Sequence, residues 1–175
     1  MARFLRGTAL GAAAVFVVLA VHGVAAEEAK IASVLTISEH GADVWSASYS
    51  ADGSRILTAS ADQTARVWDA KTGKELLRLS GHTEAVRHAT YNADATLIAT
   101  GSRDGTGRLW DAQTGKEIAV LGGHELMVEH VEFSPDGTHV VTIPHDKTAK
   151  LWDGKPGAPE ADLVGHEAYM TWGVF

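Results

Sequence analysis

The sequence predicts an all-β chain built from repeats of one small sheet, and three observations carry that expectation. Four residue types recur at a fixed step of 42: His40, His82, His124 and His166; Thr58, Thr100 and Thr142; Asp62, Asp104 and Asp146; Trp68, Trp110 and Trp152. Short apolar runs alternate with turn residues inside each period, as strands and their connections do. Glycine is frequent, at 18 of 175 residues, which points to many tight turns rather than to a helical bundle. A constant step without insertion marks stacked units, none of which can bury both its faces alone.

The first 26 residues stand apart from the repeats. Arg3 and Arg6 precede the uncharged run from Ala9 to Val21, and Val24-Ala25-Ala26 offers small residues before Glu27-Glu28. A basic start, a short apolar middle and a small-x-small end describe a helical secretory signal over residues 1–26. The run is shorter than the roughly 20 apolar residues a spanning helix needs, and His22 and Gly23 interrupt it. Export to the periplasm or the medium is therefore expected, with contact to the membrane only through this segment if it stays uncleaved as an anchor.

Residues 27–38 lead into repeats at 39–80, 81–122 and 123–164, with the start of a fourth at 165–175. In the second repeat, Val86 to Tyr91, Leu97 to Ser102, Thr106 to Trp110 and Glu117 to Leu121 are the expected strands. Gly53, Gly105, Gly115 and Gly137 sit where the turns call for positive φ. Ala95 replaces the glycine of its sibling turns, so that turn is either strained or of another type.

Val67-Trp68-Asp69, Leu109-Trp110-Asp111 and Leu151-Trp152-Asp153 each follow a histidine by 28 residues. Together with Gly81-His82, Gly123-His124 and Gly165-His166 they make the chain similar to WD40 repeats; the first copy has Glu39-His40 instead. The resemblance runs from about residue 31 to the end. It implies four-stranded blades of a β-propeller, and a segment such as Ile31 to Ile37 as the outermost strand of a closing blade. A propeller needs about four to eight blades. Three whole repeats would form an incomplete arc, so either a longer coding sequence or side-by-side self-association through the exposed blade faces is expected.

Composition removes several functions. A net charge of −7 and a pI near 5.7 oppose binding to phosphate backbones, so no nucleic-acid partner is expected. The absence of cysteine excludes a zinc ribbon, a thiol nucleophile and covalent haem attachment within these residues. Thr, His and Asp in one repeat look like a catalytic triad. An active site is needed once, however, and this set recurs in every unit, so a structural hydrogen-bond network is expected and no catalytic residue. The resemblance implies the same order: Asp holds His, His holds the hydroxyl, and the hydroxyl reaches the Trp indole. His88 and His130 share one repeat position and could in principle approach a metal ion, but packing between blades accounts for them, and no metal or other cofactor is expected.

The resemblance also implies a protein or peptide partner, of unknown identity, on the wide top face. The corresponding positions are Asp43, Ala85, Met127 and Tyr169, then Trp45, Arg87, Glu129 and Thr171, then Ala61, Arg103 and His145. They vary between repeats while the framework stays fixed, and Trp, Tyr and Arg are types that dominate interfaces. The function read from the residues is thus a non-enzymatic interaction scaffold. The alternative is the docking propeller of a larger enzyme or electron-transfer protein whose catalytic or haem domain lies outside this chain.

Overall fold

The computed structural model describes residues 15–16, 35–146, 148–154 and 157–164. It contains three four-stranded antiparallel sheets and one two-stranded pair. The pair joins β1 (Val15–Phe16) to β2 (Thr36–Ile37). The first blade is β3 (Val44–Tyr49), β4 (Arg55–Ser60), β5 (Thr64–Asp69) and β6 (Glu75–Ser80). The second is β7 (Val86–Tyr91), β8 (Leu97–Ser102), β9 (Gly107–Asp111) and β10 (Glu117–Leu121). The third is β11 (Val128–Phe133), β12 (His139–Pro144), β13 (Ala149–Asp153) and β14 (Pro159–Leu163). No described helix is long and apolar enough to cross a membrane. The rest of the expected signal segment lies outside the described residues, as do most of the linker and the start of the fourth repeat.

Strand positions follow from the sequence pattern. In the second blade only β9 departs from expectation, by one residue. Gly53, Gly105, Gly115 and Gly137 all have positive φ, between 70° and 80°. Ala95 takes the same left-handed conformation at φ 55°, so its turn is the sibling turn under strain, not another type. Gln63 does likewise at φ 71° where the next repeat has Gly105.

The core lies between blades. One face of the first blade, with Leu57, Ala59, Ala65, Val67 and Leu79, meets Val86, Ala89, Ile98 and Trp110 of the second. The next seam repeats the arrangement, with Leu97, Ala99, Leu109 and Leu121 against Val128, Val131, Phe133, Val140 and Trp152. Each innermost strand therefore packs on its predecessor, which explains why continuous apolar runs such as Leu97–Ala99 serve as strands: both faces are covered. On the first blade, Ile56 and Trp68 turn the other way and pack with Leu35 and Ile37. Leu35 and Ile37, at the end of the segment expected as a closing strand, thus cover the side of this blade on which a preceding blade would stand. The described part of that segment, residues 35–37, contains the short β2, which pairs with β1.

Candidate functional site

Two polar systems are built on this frame: a buried chain inside each blade, and a row at the surface along the innermost strands, exposed at Trp45 and half-buried at Arg87 and Glu129. In the first blade His40 Nδ1 lies 2.8 Å from Asp62 Oδ2, and His40 Nε2 lies 2.7 Å from Thr58 Oγ1. The Trp68 indole N–H donates to the same Thr58 oxygen at 2.8 Å. An indole only donates and a carboxylate only accepts, which fixes the direction: Trp N–H to Thr, Thr O–H to His Nε2, His Nδ1–H to Asp. The second blade repeats it through Asp104, His82, Thr100 and Trp110 at 2.8, 2.8 and 2.9 Å. Burial holds the His40 and His82 pKa values below the ordinary imidazole value despite the neighbouring carboxylates, so both rings are neutral. Burial alone would raise Asp104, yet hydrogen bonds from Thr106 and His82 outweigh it and bring the carboxyl to about 2.

The threonine hydroxyls are unsuited to nucleophilic attack. Thr58, Thr100 and Thr142 are 0% exposed, and each oxygen already accepts an indole proton. A substrate carbonyl has no approach to them.

The third blade departs from the expected network. His124 and Trp152 meet Thr142 at 2.7 and 2.8 Å, but Asp146 makes no hydrogen bond to His124. His124 Nδ1 is buried with no hydrogen-bond partner, and burial lowers its pKa to about 4. The cause is in the supports around the aspartate. Ser60 and Ser102 accept the N–H of Asp62 and Asp104 and donate to loop carbonyls, whereas the equivalent residue here is Pro144. Gly41 and Thr83 donate their N–H groups to the aspartate; their equivalent is Glu125, which brings a like charge to the loop. Arg66 ties Asp62 at 2.8 Å, while its counterpart Lys150 turns to Asp162 at 2.7 Å. Sequence reasoning missed these supporting residues, although the 42-residue step that found the histidines also aligns Ser60, Ser102 and Pro144. His166 lies outside the described residues.

The surface row comes from a defect in pairing. In every blade the innermost strand carries a β-bulge, between Val44 and Ser46, Val86 and His88, and Val128 and His130. The residue skipped by the ladder is Trp45, Arg87 or Glu129. A bulge re-aims its extra side chain, and here the three line up across neighbouring blades. The Arg87 guanidinium lies 4.1 Å from the centre of the Trp45 ring, and Arg87 grips the Glu129 carboxylate with both Nε and Nη2. Arg103, exposed on the β8–β9 turn, places its guanidinium 5.9 Å from the same ring. The Arg87 hydrogen bond first, and the charges of Arg87, His145 and Arg103 besides, hold the Glu129 carboxyl below its ordinary value.

Asp43, Ala85 and Met127 serve this row through their backbones. Their carbonyls accept the N–H groups of Ala61, Arg103 and His145 at 2.8, 2.9 and 2.7 Å, fixing the turn residues beside the bulges. The side chain of Asp43 is exposed and that of Met127 half-buried. Tyr169 and Thr171 lie outside the described residues.

His88 and His130 stack at a centroid distance of 4.0 Å, with His130 only 2% exposed and 3.3 Å from Glu132. Burial, then the neighbouring His130, lowers the His88 pKa to about 4. Among the described residues no group of three or more His, Asp or Glu side chains is arranged to hold a metal ion. The pair belongs to the seam between the second and third blades.

Against known proteins, the family model described as "WD domain, G-beta repeat" matches the chain three times, over residues 31–69, 73–111 and 115–153. No curated protein matches the chain.

Proposed function

Because the chain belongs to the WD40-repeat family, whose repeats are interaction scaffolds, we propose that it is a non-enzymatic protein-binding platform that works outside the cytoplasm. The carrying observation is the contrast between frame and row. The bulge is the same in all three blades, yet it presents an indole, a guanidinium and a carboxylate. Identical geometry with divergent chemistry suits a surface that recognises something, since the strand ladder and the hydrophobic seams do not use those side chains. Trp45 is 46% exposed, and a half-exposed Trp beside two arginines is the composition of an interface hot spot.

The net negative charge of the chain supports a protein partner over a nucleic acid. The basic and apolar leader supports export. In the assembled complex, replacing Trp45 and Arg103 with Ala should release the partner while leaving the melting temperature within about 1–2 °C, because neither side chain is buried. Unaltered partner binding would falsify the assignment of this face. Export is tested separately by fusing residues 1–26 to a phosphatase that folds only outside the cytoplasm; a silent reporter would sink that part.

A further inference from the structure

We propose that the surface around Trp45 and Arg103 takes a protein segment that presents an Asp or Glu carboxylate next to an apolar or aromatic side chain. This rests on the top-face reading above and specifies the partner's chemistry.

The argument begins with charge. Arg87 is held in place from two sides, by the face of Trp45 and by the Glu129 carboxylate. Its charge is largely answered by that carboxylate. Arg103 is different: among the described residues its guanidinium has no carboxylate within ion-pair distance, and it lies 5.9 Å from the centre of the Trp45 ring. Glu129 shows what this field does to an acid, because Arg87, His145 and Arg103 all stabilise its ionised form. Glu129 is committed to Arg87, so Arg103 carries a charge with no ion-pair partner among the described residues, on a chain whose net charge is −7.

Shape then limits what can answer that charge. Arg103 is exposed and Trp45 half-exposed, so a ligand can reach both together. A planar guanidinium binds a carboxylate through two parallel hydrogen bonds, and the adjoining indole favours an apolar neighbour. A carboxylate alone would leave Trp45 wet, and an apolar residue alone would leave Arg103 unanswered. The two features together select a short acidic–apolar segment. They do not form the aromatic-interleaved cationic track that a phosphate backbone follows.

The test uses the full chain and a random peptide library with blocked ends. Selected peptides should be enriched in Asp or Glu beside an apolar residue. Synthetic copies with the acid changed to its amide should bind about tenfold more weakly or worse. In the Arg103→Gln variant that discrimination should shrink to about twofold, and added salt should no longer weaken binding. Persistence of the acid preference in Arg103→Gln, or selected peptides without acids, overturns the proposal. Trp45→Ala separates the two levels of inference. If it leaves peptide affinity unchanged, the top-face reading itself falls. If it abolishes binding while acid and amide peptides bind alike, only the acidic specificity falls. A short oligothymidylate that displaces the peptide in an Arg103-dependent way would reassign the surface to phosphate. Both substitutions are on exposed side chains, and an unchanged melting curve verifies that each variant is folded.

Discussion

Equivalent aspartates in adjacent blades should differ sharply in what they contribute. Asp104 accepts four hydrogen bonds: from His82 Nδ1 at 2.8 Å, the Thr83 N–H at 3.1 Å, and the Thr106 N–H and hydroxyl at 2.9 and 2.6 Å. The His82 side chain is 1% exposed, so Asp104→Ala strands its Nδ1–H away from water. An unsatisfied buried donor costs about 1–3 kcal/mol, and loss of the remaining bonds to a charged acceptor adds about 1 kcal/mol, since Thr83 and Thr106 can turn to solvent. Asp104→Ala should therefore cost about 2–4 kcal/mol. Asp146 starts from a different position. It accepts the Thr148 N–H at 2.7 Å, and the His124 Nδ1 it was expected to hold is already unpartnered. Asp146→Ala should cost no more than about 1 kcal/mol. The two costs differ by about 1–4 kcal/mol, and at about 2–4 °C per kcal/mol for a chain of this size Asp104→Ala should melt about 2–16 °C below Asp146→Ala. Thermal unfolding followed by tryptophan fluorescence, with far-ultraviolet circular dichroism as a second probe, reads the difference. Equal losses, or a larger loss for Asp146→Ala, would refute the reasoning from hydrogen-bond partners.

Three further outcomes are expected. His88 and His124 have pKa values lowered to about 4 from 6.5, so the unfolded chain binds protons that the folded chain does not. Stability should be full above pH 6.5 and fall as pH drops toward 4, by up to about 1.4 kcal/mol per pH unit for each such histidine. Urea midpoints across that range measure it, and a flat profile would contradict the neutral rings. Ala95→Gly should stabilise by about 0.5–1 kcal/mol, because relief of the left-handed alanine exceeds the entropy glycine adds to the unfolded chain. A lowered melting point would show that the φ of 55° carries no strain. Pro144→Ser should raise stability by about 0.5–1 kcal/mol by giving the Asp146 N–H the acceptor its siblings have. No gain in melting temperature would mean that Glu125 and Lys150, rather than the missing hydroxyl, keep Asp146 away from His124.

The fold was legible because its demands repeat. Trp68, Trp110 and Trp152 are each at most 4% exposed, and each indole N–H meets a threonine at the same spacing. One misread blade would therefore have been corrected by the other two. The failure at Asp146 shows the limit of this reasoning: identity at one position does not secure a contact that the Ser and the Gly or Thr at two others support in both intact blades. Those residues were present in the period but carry weaker signatures than His or Trp. The row of Trp45, Arg87 and Glu129 was named by position alone. Its coupling was not legible, because the bulge that brings the side chains into line is a property of strand pairing, and pairing two side chains 42 residues apart requires the blades to be adjacent in space. A strand ending at Ile37 was expected, but its pairing with Val15–Phe16 had no signal in the repeat at all.

The bulge also bears on how such a chain can change. An ordinary strand residue has two obligations, a place in the hydrogen-bond ladder and a side chain committed to one face of the sheet. The skipped residue has been released from the first and turned away from the second. A substitution at position 45, 87 or 129 therefore alters what the molecule presents without consulting its neighbours in the core. The constraint left on these positions is the one they place on each other, since Arg87 lies over Trp45 and pairs with Glu129, so the three change as a set while the ladders and the core seams stay as they are.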